Sequence, residues 1–337
     1  MFRYLAGRTL ATIVMALLST LVVFVIASVV PGDPVLAQLG DMAASNPDIV
    51  REYRAKWGLD LPLYEQYWIF LRNLAGGDLG ISISTQRAVL ADILQFAPAT
   101  LELGTIAFVL SMLIGIPLGI AAAVARDSWI DHGARFVSLI GVSSPVFWLA
   151  FIMLTIFYGW LQIAPGPGRL DPIDLPPDPV TGIFVVDSIL MGDWEMLRSV
   201  SAHLVLPSVV LCAATLGLIT RTTRASMLDT LGQDYVRVAR AKGLKERAVI
   251  VSHALPNALI PVVTLGGLTY ANMLTGTVMT ETVFSWPGLG LYTFRAALAL
   301  DIPSIMGMTL VFAIVYLIIN WLVDLSYAII DPRVLKR

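Results

Sequence analysis

Charged residues are scarce in this sequence. Asp, Glu, Lys and Arg make up 14% of its 337 residues, whereas hydrophobic residues make up 57%. Soluble proteins usually contain about 25% charged and about 45–50% apolar residues. So few charges cannot cover the water-facing surface of a chain this long, which indicates that lipid is its main solvent. The net charge of −2 gives no electrostatic support for nucleic-acid binding.

Residues and motifs that carry chemistry are also few. Cys212 is the only cysteine, which excludes an internal disulfide. His132, His203 and His253 lack metal-ligand spacing, so no metal site is predicted. The sequence has no Gly-x-x-x-x-Gly-Lys-Ser/Thr phosphate loop and no Gly-x-Ser-x-Gly elbow. We therefore predict no catalytic residues, no bound cofactor and no ATP site of that type.

Long charge-free runs are abundant instead. There are six of them, each of 21 to 33 residues, at positions 10–30, 103–125, 136–168, 199–220, 254–280 and 302–323. About 20 apolar residues suffice for a helix to cross the hydrocarbon core. The alternative, a soluble protein with buried helices, would not repeat such runs six times. The first run is too long for a cleaved signal peptide, so we expect a retained membrane anchor. The predicted fold class is an all-α integral membrane protein with six transmembrane helices.

The distribution of charge predicts the orientation. Six spans put both termini on one side, and 14 of the 22 Lys and Arg residues fall there, seven of them in the loop between the fourth and fifth runs. Basic residues favour the cytoplasmic side. The opposite segments are acidic: residues 33–92 hold eight acids and five bases, and residues 169–198 hold six acids and two bases. We therefore expect cytoplasmic termini, with segments 31–98 and 164–202 outside.

The first outer segment is predicted to contain two helices. Asn46-Pro47 is typical of a helix start and Gly58 of a helix end, and a second helix is expected after Pro62. Four aromatic residues accompany these helices: Trp57, Tyr64, Tyr67 and Trp68. They fit either a membrane–water boundary or the aromatic core of a solvent-facing hairpin. The second outer segment is rich in proline, which predicts a loop.

The cytoplasmic loop carries the most informative pattern, Asp234-Tyr-Val-Arg-Val-Ala-Arg-Ala-Lys-Gly-Leu-Lys-Glu-Arg-Ala-Val-Ile-Val-Ser-His-Ala-Leu-Pro-Asn257. It predicts a helix, a break at Gly243, a second helix and a stop at Pro256. Ala239 and Gly243 are four residues apart, so we expect them on one helical face, where small residues admit a partner's surface. A basic amphipathic helix lying on anionic lipid is the alternative.

This loop resembles the EAA loop of ABC importer permeases. Gly243, Leu255 and Pro256 occupy its glycine, leucine and proline positions, and Ala239 its second alanine. Arg237 and Val238 replace the glutamate and the first alanine, which is the form typical of peptide permeases. Three further stretches support the resemblance: Pro31-Gly-Asp-Pro34, Gly77-Asp-Leu-Gly-Ile-Ser82 with Pro98-Ala-Thr-Leu-Glu-Leu103, and Glu281-Thr-Val-Phe-Ser-Trp-Pro-Gly-Leu-Gly290. Together they resemble the B-type permease subunit of dipeptide and oligopeptide ABC importers along nearly the whole chain.

The resemblance implies a type I ABC importer permease fold in a bacterial cytoplasmic membrane. Residues 1–97 would form an N-terminal span and an extracytoplasmic helical segment, and residues 98–330 the permease core, with a coupling loop at about 225–257. The implied partners are a second related permease subunit, two ATPase subunits that use ATP, a substrate-binding protein and membrane lipid. The implied ATPase-coupling residues are Asp234, Tyr235, Arg237, Ala239, Arg240, Ala241, Lys242, Gly243, Leu244, Leu255 and Pro256.

The cargo is left open by the sequence. Subunits of this type also serve nickel and glutathione importers, and a self-sufficient secondary transporter is the rival from another class. Candidate residues of a translocation path are Ser143, Ser144, Asn272 and Thr275, although each can equally serve helix packing or capping. The acidic loop at 169–198 is expected to lie at the mouth of the path, where it would contact the binding protein or be a mobile surface loop.

Overall fold

The described part of the chain is helical. The structure, a computed structural model, describes residues 2–29, 46–177 and 180–330, without the side chains of residues 2–5, 53 and 326–330. Residues 31–34 lie outside these ranges, and so do three of the 14 basic residues counted above: Arg333, Lys336 and Arg337. One isolated antiparallel bridge, between Ile81 and Ala88, accompanies the helices.

The helices are numbered here in chain order. The first seven are α1 (Phe2–Val29), α2 (Pro47–Trp57), α3 (Leu63–Ala75), α4 (Val89–Val124), α5 (Trp129–Ser143), α6 (Val146–Met153) and α7 (Phe184–Met191). The others are α8 (Trp194–Leu231), α9 (Asp234–Ala241), α10 (Glu246–Ala248), α11 (Leu255–Gly276), α12 (Val278–Val283), α13 (Leu289–Leu298) and α14 (Ile302–Ile330). Two π-helical segments, Leu154–Trp160 and Val249–Ala254, continue α6 and join α10 to α11.

Five of the six predicted spans are long apolar helices. They are Ala6–Val29, Val89–Val124, Trp194–Leu231, Glu246–Gly276 and Ile302–Leu325. Three of these helices begin five to 14 residues before the charge-free runs that predicted them: Val89–Val124, Trp194–Leu231 and Glu246–Gly276. The remaining predicted span, the third along the chain, is α5 followed by α6 and its π-helical continuation, and it is bent by 105°. The described residues therefore contain six spans if this bent pair counts as one.

The bend in the third predicted span begins at Pro145. Ser144, the residue before it, has an extended backbone (φ −82°, ψ 126°) and ends α5 with a hydrogen bond from its N–H to the Ile140 carbonyl. A residue before proline avoids the helical conformation because the proline ring crowds its backbone. The charge-free run at 136–168 therefore forms two helices that meet at a sharp bend. Pro117, Pro207 and Pro261 instead lie inside continuous helices.

Helix α8 is the centre of the packing and contacts α4, α5 and α11. Small residues bring these helices close together. A side chain at Gly119 would collide with Thr223, and one at Gly217 would collide with the backbone of Ser138. Close approach through glycine is common where membrane helices pack, because lipid provides no hydrophobic drive for their association. At about 1.5 Å per residue, the 38 residues of α8 span roughly 57 Å, so one end projects beyond the hydrocarbon.

The predicted outer helices form with the predicted boundaries. The Asn46 side chain accepts a hydrogen bond from the Asp48 N–H, Pro47 begins α2, and Gly58 ends it with φ +63°. Pro62 precedes α3. The alternative of an aromatic core inside this hairpin is wrong, because Tyr64 and Trp68 are 72% and 70% exposed.

Candidate functional site

The predicted coupling loop forms a short amphipathic helix beside the end of α8. Val236 and Ala239 of α9 are buried against a cluster that includes Met227 of α8 and Val249 of the π segment. The other side of α9 is exposed, with Val238 at 52%. The buried side fixes α9 to the chain's own core, which leaves its outer side for contact with other molecules.

Ala239 does not belong to that exposed side. Helix α9 ends at Ala241, so Gly243 lies beyond it, and Ala239 is 5% exposed. The prediction that the two share one helical face is therefore wrong. The amphipathic pattern explains the error: Val236 and Ala239, three residues apart, both point into the core, whereas the loop motif drew attention to Ala239 and Gly243.

Gly243 forms an open corner. Its φ is +79°, its N–H donates to the Arg240 carbonyl at 2.9 Å, and a Cβ placed on it would meet nothing within 4 Å. Glycine is favoured here because side chains resist positive φ. The Arg240 guanidinium donates two hydrogen bonds, at 3.1 and 2.6 Å, to the Glu246 carboxylate across the corner. The chain's own hydrogen bonds therefore set the shape of the corner, and no other part of the chain fills the space beside Gly243.

The second helix does not stop at Pro256. It runs from Glu246 through the π segment and α11 to Gly276. A π turn directly before the proline widens the backbone where its ring would otherwise press on an earlier carbonyl. Leu255 and Pro256 therefore sit inside the fifth span's continuous helix, and the predicted stop is wrong. The Tyr235 hydroxyl accepts a hydrogen bond from the Asn257 side chain at 2.8 Å, which ties α9 to this helix.

A buried charge network on the same side was not foreseen. The Asp131 side chain is fully buried and accepts hydrogen bonds from the Arg224 guanidinium of α8 at 2.6 and 2.7 Å. Arg135, one turn along α5, also bonds to it. Asp131 and Arg135 show the i,i+4 spacing of a helical ion pair, which sequence reasoning had available. Arg224 is 93 residues away, and no sequence signal connects it to Asp131.

The opposite end of the molecule contains a second buried pair. The Arg169 guanidinium donates to the Glu102 carboxylate at 2.9 and 2.6 Å, and the two side chains are 7% and 0% exposed. Arg169 also lies 3.5 Å from the Phe184 ring centre and donates to the Gly182 carbonyl. These contacts fix both ends of the proline-rich loop to α4, and burial lowers the pKa of Arg169.

The Glu281–Gly290 motif closes this end. The Glu281 carboxylate accepts hydrogen bonds from the Thr100 and Thr277 hydroxyls and from the Leu291 N–H at the start of α13. Burial raises the pKa of Glu281, although these bonds oppose the shift. Gly288 and Gly290 leave room for the carboxylate, since a side chain on either would collide with it. Trp286 is fully buried and donates to the Ala99 carbonyl at 2.9 Å.

A third carboxylate joins the first outer segment to this end. Asp301 accepts hydrogen bonds from the Ser82 hydroxyl at 2.6 Å and from the Ser84 N–H and hydroxyl, and it caps α14 through the Ser304 N–H. Burial alone would raise the pKa of Asp301, but these hydrogen bonds outweigh burial and leave the pKa below its ordinary value.

The four candidate path residues are placed on helices that both pack against α8. Ser143 is the last residue of α5 and Ser144 its cap, at the bend. Thr275 donates to the Ala271 carbonyl of its own helix, whereas Asn272 is exposed. Their part in a path stays a prediction.

The fold and the site define a multi-pass helical membrane protein with a structured loop beside the end of its central helix. The chain belongs to the family described as binding-protein-dependent transport system inner membrane component, whose model matches residues 115–336. The model of that family's N-terminal part matches residues 1–104. The predicted resemblance is thereby confirmed, and the chain is a membrane permease component of a transport system.

Individual relatives cover nearly the whole chain. It is 45% identical over 313 residues to the probable D,D-dipeptide transport system permease protein DdpB of Escherichia coli, covering 93% of this chain and 92% of that protein. It is 40% and 41% identical to the dipeptide transport system permease proteins DppB of Alkalihalophilus pseudofirmus and Haemophilus influenzae, with 99% of each chain covered in both comparisons.

Proposed function

We propose that this chain is the membrane-spanning permease subunit of an ATP-driven ABC importer of short peptides. The observation that carries the proposal is the α9–Gly243 corner: a short helix held by its buried side against α8, with an exposed side and an open turn. Such a surface suits a docking partner. Because the sequence has no phosphate loop of the Gly-x-x-x-x-Gly-Lys type, ATP would be hydrolysed by separate ATPase subunits bound there.

The partners and the orientation follow from the same proposal. A second related permease subunit would complete the path, two ATPases would bind on the cytoplasmic side, and a binding protein would deliver cargo from outside. Both termini would be cytoplasmic in a bacterial inner membrane, since the α9 side carries the basic residues. In cells whose protein has Cys212 replaced, a cysteine at Lys245 should resist an impermeant thiol reagent, and labelling there would reverse the orientation.

Transmission of motion would use the Asp131–Arg224 contact. Helix α9 packs on the end of α8, and Arg224 of α8 bonds to Asp131 at the start of α5. A push on α9 would therefore move α8 and α5 as one unit. The bend between α5 and α6, beside Ser143 and Ser144, lies next along the chain, and together with Asn272 and Thr275 it is our candidate for part of the path.

Short peptides are the proposed cargo because the relatives' names describe dipeptide transport. Nickel and glutathione remain the alternatives within the family. The acidic loop 169–198, of which residues 178 and 179 lie outside the described part, is proposed to contact the binding protein. Its first part, residues 169–184, is fixed at one end by Arg169 and at the other by Phe184, whereas Ile173 and Leu175 between them are 94% and 82% exposed.

The test is purification of the tagged chain from its native membrane in a mild detergent, with mass spectrometry of the accompanying proteins. The proposal expects a second permease subunit and at least one protein with an ATP-binding phosphate loop. Recovery of the chain alone, in a folded and monodisperse state, would contradict it. Competition for uptake among labelled dipeptide, glutathione and Ni²⁺ then assigns the cargo.

A further inference from the structure

Helix α3 carries an exposed stripe on the side away from α1. Tyr64, Trp68 and Arg72 are spaced four residues apart and lie on one helical face. Tyr64 and Trp68 are 72% and 70% exposed, and Leu63 beside them is 62% exposed. Large exposed aromatic residues in one stripe mark a contact surface rather than a solvated one.

The other face of α3 is fixed against the membrane anchor α1. The Tyr67 hydroxyl donates to the Leu17 carbonyl at 3.2 Å and shares a hydrogen bond of 2.8 Å with the Thr20 hydroxyl. The Phe24 ring lies 5.4 Å from the Tyr67 ring and 5.9 Å from the Phe70 ring, measured between centres. These contacts define how deep α3 lies along α1.

The length of α1 indicates that this depth is within the bilayer. Arg8, which pairs with Asp324 at 3.2 Å, marks the polar boundary at the other end of α1. The contacts with α3 begin at Leu17, nine residues further along, and end at Phe24, 16 residues further along, so they lie about 14 to 24 Å from Arg8 at about 1.5 Å per residue. The hydrocarbon core is about 30 Å thick. Ile26 and Val29 lie beyond Phe24 and are 58% and 73% exposed, so the exposed apolar surface of α1 continues past the level at which α3 is bound.

We propose that α3 is an interfacial helix whose Tyr64–Trp68–Arg72 stripe lies among the phospholipids of the leaflet at the Val29 end of α1. The chemistry of the stripe fits this position. Tyr and Trp are enriched at the boundary between acyl chains and headgroups, and Arg reaches from there to phosphate while its stem stays in apolar surroundings. Under the topology proposed above this is the outer leaflet, but the lipid contact itself does not depend on the transport function.

The consequence is an anchor for the first outer segment. From α3 the chain passes through Gly77, with φ +77°, to the serines that bind Asp301. Lys56 of α2 meets Asp78 at 2.8 Å in the same stretch. Lipid contact at α3 would hold this segment at a fixed height beside α14.

The test uses nitroxide labels on the assembled transporter in phospholipid nanodiscs, with Cys212 replaced. Labels at Tyr64→Cys and Trp68→Cys are compared with two controls, Glu52→Cys on the exposed side of α2 and Ile26→Cys on the lipid side of α1. The ratio of collisions with oxygen to collisions with water-soluble chromium oxalate should be several-fold higher at positions 64 and 68 than at 52, and close to that at 26.

Two results would overturn the proposal. A ratio at 64 and 68 equal to that at 52 would place the stripe in water. Low collision rates with both reagents at 64 and 68 would show that another protein subunit covers it. Using two label positions guards against a local disturbance, because either site alone reports the surroundings of the stripe.

Discussion

Substitution of Gly243 tests the backbone conformation of the α9–Gly243 corner separately from the contact with an ATPase that we propose for it. In the chain alone, a side chain at Gly243 meets no atom within 4 Å, so its only cost is the backbone conformation at φ +79°. Alanine in a left-handed conformation costs about 1–2 kcal/mol. Asparagine and aspartate tolerate positive φ better. Thermal stability in detergent should therefore rank Gly243→Asn and Gly243→Asp above Gly243→Ala.

Contact with an ATPase should produce the opposite ranking. A partner that packs against the corner would exclude larger side chains first. A carboxylate covered by the partner without a counter-charge would weaken binding of the ATPase by about 3 kcal/mol, which is roughly a hundredfold loss of affinity. We expect Gly243→Asp to lose most of the co-purified ATPase and of ATP-driven uptake, Gly243→Asn to lose less, and Gly243→Ala to retain most of both.

The assay measures three quantities for each variant at matched membrane levels: the melting temperature, the ATPase recovered with the chain, and the initial rate of uptake. Gly243→Asn is the matched control for Gly243→Asp, since the two differ mainly in charge. If Gly243→Asp retains its ATPase and transports normally, the corner is not a docking surface. If the recovered ATPase and the uptake rate rank the variants in the same order as the melting temperature, Gly243 is needed only for the fold.

Three further predictions concern the outer end. Arg169→Met should destabilise the protein by about 3–5 kcal/mol because it leaves the Glu102 carboxylate buried without its partner. Adding Glu102→Gln should restore part of the lost melting temperature. A double variant no more stable than Arg169→Met would contradict the pairing. Burial raises the pKa of Asp301, but the hydrogen bonds from Ser82, Ser84 and Ser304 outweigh burial and hold the pKa below its ordinary 3.8, so the stabilisation from this carboxylate is present above about pH 4 and is lost as the pH falls further. Asp301→Asn should flatten this acid-side loss in a melting series, and an unchanged pH profile would refute the assignment. Trp286→Phe keeps an aromatic ring, smaller than the indole, and removes the buried N–H donor, so it should cost about 1–3 kcal/mol. Trp286→Ala should cost about 3–5 kcal/mol, and equal melting temperatures for the two variants would show that packing of the aromatic ring contributes little.

The spans were predictable because each depends on a local property. A charge-free run needs no partner to be recognised, and neither do the Asn46 cap and the Gly58 stop, which are set by backbone geometry within a few residues. The family resemblance rested on the motif around Gly243 and was confirmed over most of the chain. These features require only neighbours in sequence.

The features that escaped prediction depend on distant neighbours. A proline inside a span is expected to bend it, and Pro145 does so, but Pro207 lies inside a continuous helix. Asp131 and Arg224 form an ion pair although 93 residues separate them in the sequence. Ala239 is turned inward because the end of α8 offers it a buried surface, which the loop motif does not encode. Tertiary packing decided each of these cases.

We propose that this permease imports peptides with energy from ATP that partner subunits hydrolyse. The most direct measurement is uptake of a labelled dipeptide into proteoliposomes that hold the purified complex, with the binding protein outside, ATP inside and no ion gradient. We expect uptake that requires both ATP and the binding protein and that fails with Gly243→Asp. Uptake that is driven by an ion gradient and is indifferent to ATP would contradict it.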